Sequence, residues 1–312
     1  MTVEEVVSAT AQQERPVFFT AGGDTLLGIF GSPTTEPKGT AVVLLPGGWR
    51  TTSTARNRVL VRLSRELAGR GYHTFRIDYR GVGESTGVLE RFDMDELSTD
   101  DLKASIEWIE QQGISQFVLV GFCFGGWTAV SYASDVPGAE GVVLISVPAL
   151  LTGETAVARL ARRTSMWRVI RQGLRPWAIR SLLSADRRRI YKRFLAAKVR
   201  SFLPTRRPSD APHAPIARDL TVRFQVPLAT LLDRDVPILF LYGTEDEELE
   251  GFELSKRGPL GEVLSRSDSL IEVRLAPGRI HGLDRLEYQD AIIENVTDWI
   301  SRRDGHDPTR VK

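Results

Sequence analysis

Cys123 is the one cysteine of the chain, and it lies in the stretch FVLVGFCFGGWTAV (117–130). An apolar run ends at Gly121, the thiol follows two residues later, and glycines follow again before an apolar helical pattern. Gly121-Phe122-Cys123-Phe124-Gly125 therefore has the form glycine, any residue, nucleophile, any residue, glycine. A nucleophile presented this way sits on a sharp strand-to-helix turn, and side chains two positions to either side would collide with the neighbouring strand and helix. The turn lifts the thiol above the sheet edge and sets it at a helix N-terminus. There the free N–H groups and the helix dipole favour thiolate. The N–H of Phe124 is the first candidate to hold an oxyanion. The plain alternative is that Cys123 is a small buried hydrophobe.

Such a nucleophile needs an acid and then a histidine, each at a later strand end. The chain has four histidines. His73 opens a strand, His213 lies in a proline-rich stretch, and His306 is in the tail. His281, in PGRIHG after the strand 269–278, falls where a general base belongs. The strand before it ends in Gly243-Thr244-Glu245-Asp246, a loop with a carboxylate. The expected constellation is Cys123, Asp246 and His281, with His281 activating the thiol and Asp246 orienting the imidazole. No metal and no cofactor is expected. Asp78, Arg80, Gly81, Gly83 and Ser85 in DYRGVGES are expected to close a structural turn.

These residues need a scaffold of alternating strands and helices. PVFFTAGGDTLLGIFGSP (16–33) reads as a hairpin around Gly-Gly-Asp, and GTAVVLLPGG (39–48) as a buried strand. A helix over 55–70 carries Val59, Leu60, Leu63 and Leu67, and one over 95–112 carries Leu102, Ile106 and Ile109. Residues 73–85 read as a strand followed by a glycine-rich loop, and strands are expected at 116–121, 141–150, 236–246 and 269–278, with a helix at 125–134. A last helix over 286–302 has Ile292, Val296 and Ile300 in register. The pattern predicts an α/β fold, a mostly parallel sheet with helices on both faces and an antiparallel hairpin at one edge. Residues 151–230 break the alternation and read as a helical insertion. The expected organisation is a core of 16–150 and 231–304, a basic helical lid of 151–230 over the carboxyl ends of the strands, and flexible tails at 1–15 and 305–312.

The 312 residues carry a net charge of +1, which conceals a segregation of charge. Residues 157–207 hold 14 arginines, two lysines and one acid, a net +15, and the remainder is −14. Three readings fit: pairing with acids of the body such as those of 245–253, an anionic partner, or an anionic membrane surface reached through the amphipathic stretch 180–203. No nucleic-acid recognition motif is present, and nucleic acid is not an expected partner. A single cysteine excludes an internal disulfide framework. The polar N-terminus does not read as a secretory signal, and no apolar run is long enough to span a membrane. A cytoplasmic protein is expected.

With LLPGG, DYRGVGES, GFCFGG, YGTED and RIHG in this order, the chain resembles the α/β-hydrolase fold over roughly 16–150 and 236–302. The stretch from PGGWR through FRIDYRGVGES also resembles small hydrolases found beside exosortase systems. The family's spacing favours Asp246 over Glu245 or Glu247 as the acid, and by analogy Gly48 or Trp49 supplies a second oxyanion N–H. Serine is usual at the nucleophile. Cysteine there is similar to dienelactone hydrolases and to acyl- and aminoacyltransferases that serve carrier proteins. The resemblance implies a substrate pocket for which Trp49, Phe122 and Trp127 are candidates, although core packing explains the tryptophans as well. It implies acyl transfer or hydrolysis on a thioester through an acyl-Cys123 intermediate, with an acyl carrier protein or a coenzyme A thioester docking on the basic lid. The alternatives are an ester or lactone hydrolase of dienelactone type, and a binding protein that has lost turnover.

Overall fold

The computed structural model describes residues 14–48, 51–88, 97–151, 218–266 and 269–304. The chain divides into two compact units, Met1–Leu150 with Asp219–Lys312, and Leu151–Arg218. The expected lid lies almost wholly outside the described residues, as do the tails.

The first unit is built on strands β1 (Glu14–Ala21), β2 (Asp24–Gly31), β3 (Thr40–Leu45), β4 (His73–Ile77), β5 (Gln116–Phe122), β6 (Ala139–Ile145), β9 (Ile238–Gly243) and β10 (Ile271–Ala276). Among the described residues these form one sheet in the order β1-β2-β4-β3-β5-β6-β9-β10. From β4 to β10 every pairing is parallel, and β1 and β2 join antiparallel at one edge. The β1–β2 turn is the expected Gly-Gly turn, with Ala21 opposite Asp24. Gly22 and Gly23 both have positive φ, 57° and 94°, as a tight two-residue hairpin turn demands. Two short strands, β7 (Leu150–Leu151) and β8 (Arg218–Asp219), pair where the chain leaves and re-enters this unit.

Central strands covered on both faces need apolar residues on both, and β3 and β9 are buried at every position. On one face Val42, Leu44, Val118, Val120, Val143, Ile145, Leu239 and Leu241 meet helices α1 (Val59–Gly69) and α7 (Leu286–Asp304). The residues expected to face the core, Val59, Leu60, Leu63, Leu67, Ile292, Val296 and Ile300, do so and are at most 2% exposed. The other helices are α2 (Thr99–Glu110), α3 (Phe124–Asp135), α4 (Thr221–Asp233), α5 (Glu247–Ser255) and α6 (Pro259–Leu264). Helix α3 packs against both α2 and α4.

Helix α4 moves a domain boundary. The sequence pattern assigns residues up to 230 to the lid, but α4 belongs to the first unit. Its Phe224, Leu228, Leu231 and Leu232 are buried, and Phe224 stacks on Trp127 of α3 at 4.0 Å between ring centroids and 4° between planes. Burying side chains of this size stabilises by about 1.5–3 kcal/mol each, so the helix is held by the core whatever precedes it in the chain. The proline-rich stretch just upstream and Pro227 within α4 obscured its periodicity.

Candidate active site

The strand-end loops carry the chemistry, and their backbones are strained in a localised way. Among the described residues seven non-glycine positions have positive φ. Six of them (Ala55, Asn57, Arg58, Cys123, Ser146 and Leu283) lie in connections that leave the carboxyl ends of β3, β5, β6 and β10. Strain of this kind costs on the order of 1–3 kcal/mol per residue and persists where the surroundings enforce it, often at sites of function.

Cys123 has φ 49° and ψ −118° and caps the N-terminus of α3. Its backbone N–H donates to Ile145 O at 2.8 Å, and its own carbonyl accepts from Gly126 N–H at 3.1 Å. The flanking glycines are sterically required. A Cβ on Gly121 would stand 2.4 Å from Gly125 O and Gly126 N, and one on Gly125 would stand 2.5 Å from Pro46 O. The connection after β3 faces the cysteine directly: a Cβ on Gly47 would lie 3.4 Å from the Cys123 Cβ. Phe124 is the first residue of α3, and Gly48 follows Gly47 in the facing loop. Trp49, the other expected oxyanion donor and a candidate pocket residue, lies outside the described residues.

The β3 connection also reaches His281. Arg56 Nη1 donates to Gly282 O at 3.1 Å, and Asn57 Nδ2 to Leu283 O at 3.3 Å. Ile280 is buried in the same core cluster as Val59 and Leu60. One loop thus contacts Cys123 near its start and braces the His281 loop near its end. That loop is itself pinned from β4. Asp78 Oδ1 accepts from Ser53 N–H at 2.5 Å, its Oδ2 from Glu84 N–H at 3.3 Å, and Arg76 Nη1 donates to Ser53 O at 3.3 Å. Ser85 Oγ donates to Asp78 O at 2.6 Å and accepts from Leu27 N–H, and Arg80 pairs with Asp24 and Asp101. DYRGVGES closes a structural turn, as its residues predict.

The expected acid, Asp246, and a second carboxylate, Glu248, both reach the His281 loop. Asp246 is 5% exposed, and its carboxylate accepts three hydrogen bonds. Oδ2 accepts from Ser146 Oγ at 2.6 Å and from Gly243 N–H at 2.8 Å, and Oδ1 accepts from the backbone N–H of His281 at 2.9 Å. The carboxylate facing the His281 ring belongs to Glu248, whose Oε1 lies 3.1 Å from Nδ1. Asp246 therefore holds the main chain of the His281 loop, and Glu248, in the first turn of α5, meets the imidazole. The physical reason is local. The two N–H groups and the hydroxyl converge on Asp246 because β6, β9 and the β10 loop meet there.

Burial pushes the Glu248 carboxyl above the ordinary glutamate range; His281 opposes the shift, and Asp246 and Glu247 add to it. Tyr242, buried at the end of β9, has its phenol pushed well up. Burial is the main cause, followed by the charges of Glu248, Asp246 and Cys123. Cys123 and both carboxylates thus act on a single side chain.

Two candidate pocket residues are core residues instead. Trp127 is 1% exposed, its indole N–H donates to Pro148 O at 2.9 Å, and one face is covered by Phe224. Phe122 is buried in the cluster shared by α1 and α7. Cys123 between them is half-buried. Among the described residues no group of three or more His, Cys, Asp or Glu side chains is placed to hold a metal ion, and no helix is long and apolar enough to cross a membrane.

The architecture has known counterparts. A family model described as "Alpha/beta hydrolase family" matches residues 42–278. The Pyrococcus furiosus esterase Pf2001 is similar at a TM-score of 0.57 and 15% identity, over 93% of this chain and 91% of that one. A Xanthomonas campestris protein described as an a/b serine hydrolase without lid is similar at 0.52 and 16%, over 93% and 96%. An alpha-beta serine hydrolase homologue from Coxiella burnetii gives 0.50 and 18%, over 90% and 96%. At these identities the likeness is one of fold. An uncharacterized Rickettsia prowazekii protein is 31% identical over 94 residues, which are 30% of this chain and 38% of that protein's length. The family match supports hydrolase chemistry in general. With the eight-stranded sheet and its strand-end loops in place, the family match assigns the chain to the Alpha/beta hydrolase family.

Proposed function

We propose that this protein is a cysteine-dependent acyl transfer or hydrolysis enzyme acting on thioesters, with Cys123 as nucleophile and His281 as general base. The reading rests on one observation: Cys123 is held at φ 49° on a turn that excludes side chains at Gly121 and Gly125, at the strand-end edge that also carries His281. With Nδ1 facing a carboxylate, His281 keeps its proton there and leaves Nε2 free to accept another.

In the first half-reaction His281 Nε2 takes the Cys123 proton, and the thiolate attacks the acyl carbonyl. A new C–S bond forms, and the carbonyl electrons move onto oxygen. The N–H groups of Phe124 and Gly48 hold that oxyanion. Collapse breaks the substrate's C–S bond, and the leaving thiolate takes the proton from His281. This leaves acyl-Cys123, itself a thioester, so the exchange is near balance. In the second half-reaction His281 Nε2 takes a proton from water, or from an acceptor thiol, amine or alcohol, as that group attacks. Collapse of the second adduct releases Cys123, which recovers its proton.

A carrier-borne or coenzyme A thioester fits the charge of residues 157–207, a net +15. Intact-mass measurement after rapid quenching with acyl-coenzyme A or an acylated carrier is expected to show one acyl group on Cys123 and none on Cys123→Ala. Turnover that survives in Cys123→Ala would refute the mechanism.

A second reading is an ester or lactone hydrolase with water as acceptor, favoured by the esterase and the serine hydrolase homologue among the proteins of similar fold. Fast hydrolysis of simple esters with no gain from a carrier or coenzyme A would select it.

A further inference from the structure

We infer that the carboxylates of Asp246 and Glu248 divide the work usually done by one: Glu248 is the positioning residue that orients the His281 imidazole, and Asp246 clamps the backbone of the His281 loop. The inference rests on the reading of His281 as general base and goes beyond it in naming what supports the base.

Geometry separates the two carboxylates. Asp246 spends Oδ2 on Ser146 and Gly243 and Oδ1 on the His281 main chain. Its three donors come from three different connections, so rotating the carboxylate toward the imidazole would leave buried groups unpaired. Glu248 lies on the next helix with its side chain 11% exposed, and Oε1 is 3.1 Å from Nδ1. Among the described residues its other oxygen, Oε2, is buried without a hydrogen-bond partner. A buried, half-satisfied carboxylate contributes little to the fold, and its value lies in the ring it faces. Helix α5 places it there: Phe252, four residues on, is buried against Phe240 and Tyr242, which turns the same helix face inward.

A negative charge at Nδ1 stabilises the imidazolium formed each time Nε2 takes a proton. The groups facing Glu248 are His281, Asp246, Glu247 and the Tyr242 phenol. The phenol stays neutral across the working range, and Asp246 and Glu247 repel a second negative charge. The Glu248 carboxyl therefore takes up its proton at a higher pH than a free glutamate. As pH falls through that value, the imidazolium loses its counter-charge and activity falls with it.

The test is an NMR titration of His281 in the full chain, assigned among the four histidines by His281→Ala, in wild type, Glu248→Gln, Glu248→Asp and Asp246→Asn. Glu248→Gln is expected to move the His281 ring titration to lower pH, because it removes the carboxylate 3.1 Å from Nδ1. Glu248→Asp is expected to recover part of that shift. Asp246→Asn, which removes a charge held at the main chain of the same loop rather than at the ring, is expected to move it less than Glu248→Gln does. Neutral wild-type His281 is expected to carry its proton on Nδ1. In thioester or ester turnover, Glu248→Gln is expected to lower kcat by about 10²–10⁴-fold with little change in KM. An unshifted His281 pKa in Glu248→Gln overturns the inference, as does a large shift confined to Asp246→Asn. The titration needs no substrate, so it stands even if Cys123→Ala retains activity and the nucleophile reading fails.

Discussion

Replacing Asp246 with asparagine separates a structural carboxylate from an electrostatic one. The carboxylate accepts three buried hydrogen bonds of 2.6–2.9 Å, two from backbone N–H groups and one from a hydroxyl. An amide has one oxygen. If the NH₂ takes the Oδ1 place, the His281 N–H loses its acceptor. If it takes the Oδ2 place, the Gly243 N–H loses its acceptor, while the Ser146 hydroxyl can rotate to accept. Either way at least one buried bond to a charged group disappears, a loss of about 1.5–3 kcal/mol. At about 2 °C per kcal/mol for a large domain, the melting temperature is expected to fall by roughly 3–6 °C. Glu248→Gln behaves oppositely. The Glu248 carboxyl binds its proton more tightly folded than unfolded, so between those two pKa values stability falls as pH rises. At neutral pH the buried anion is a cost that glutamine removes, and the melting temperature is expected to stay level or rise. Calorimetry at neutral pH, with urea unfolding as a check, reads both. An unchanged melting temperature for Asp246→Asn beside a clear loss for Glu248→Gln would refute the assignment of the two roles.

Other outcomes follow from the same contacts. Gly121→Ala is expected to destabilise by about 1–3 kcal/mol or more and to abolish turnover, because the new Cβ would meet Gly125 and Gly126 at 2.4 Å; urea unfolding and ester hydrolysis read it. Trp127→Ala is expected to lose about 3–5 kcal/mol of stability, and Trp127→Phe to leave KM within about twofold, since the indole is packed on Phe224 and not in a pocket. Asp78→Asn is expected to lower kcat more than it raises KM, because it loosens the Ser53 end of the loop that carries Gly47 and Gly48; steady-state kinetics separate the two.

Where alternation and turn chemistry carry the signal, sequence and structure agree. The strands, their order of use, the hairpin, the strained turn at Cys123 and the loop holding His281 follow from local pattern, because each depends on residues adjacent in the chain. The acid does not. TEDEELEGFE offers six acids within ten residues, and spacing alone does not say which one a helix turns inward. The four-residue step from Glu248 to the aromatic Phe252 was the available clue, legible only once α5 is recognised as a helix. Core packing, the alternative the sequence left open for Trp127, is what its contacts with Phe224 and Pro148 show, and neither partner is legible from spacing. The α4 boundary was hidden by the proline-rich stretch before it and by Pro227, although Phe224, Leu228 and Leu231 lie at helical spacing.

The account stands on a thiol that an imidazole keeps ionised. Alkylation of Cys123 by iodoacetamide, followed by mass across pH in wild type and in His281→Ala, measures this most directly. The account predicts thiolate reactivity in the wild type well below the ordinary cysteine pKa of about 8.5, lost on removing His281. A wild-type thiol that titrates near that ordinary value, unaffected by His281→Ala, would contradict it.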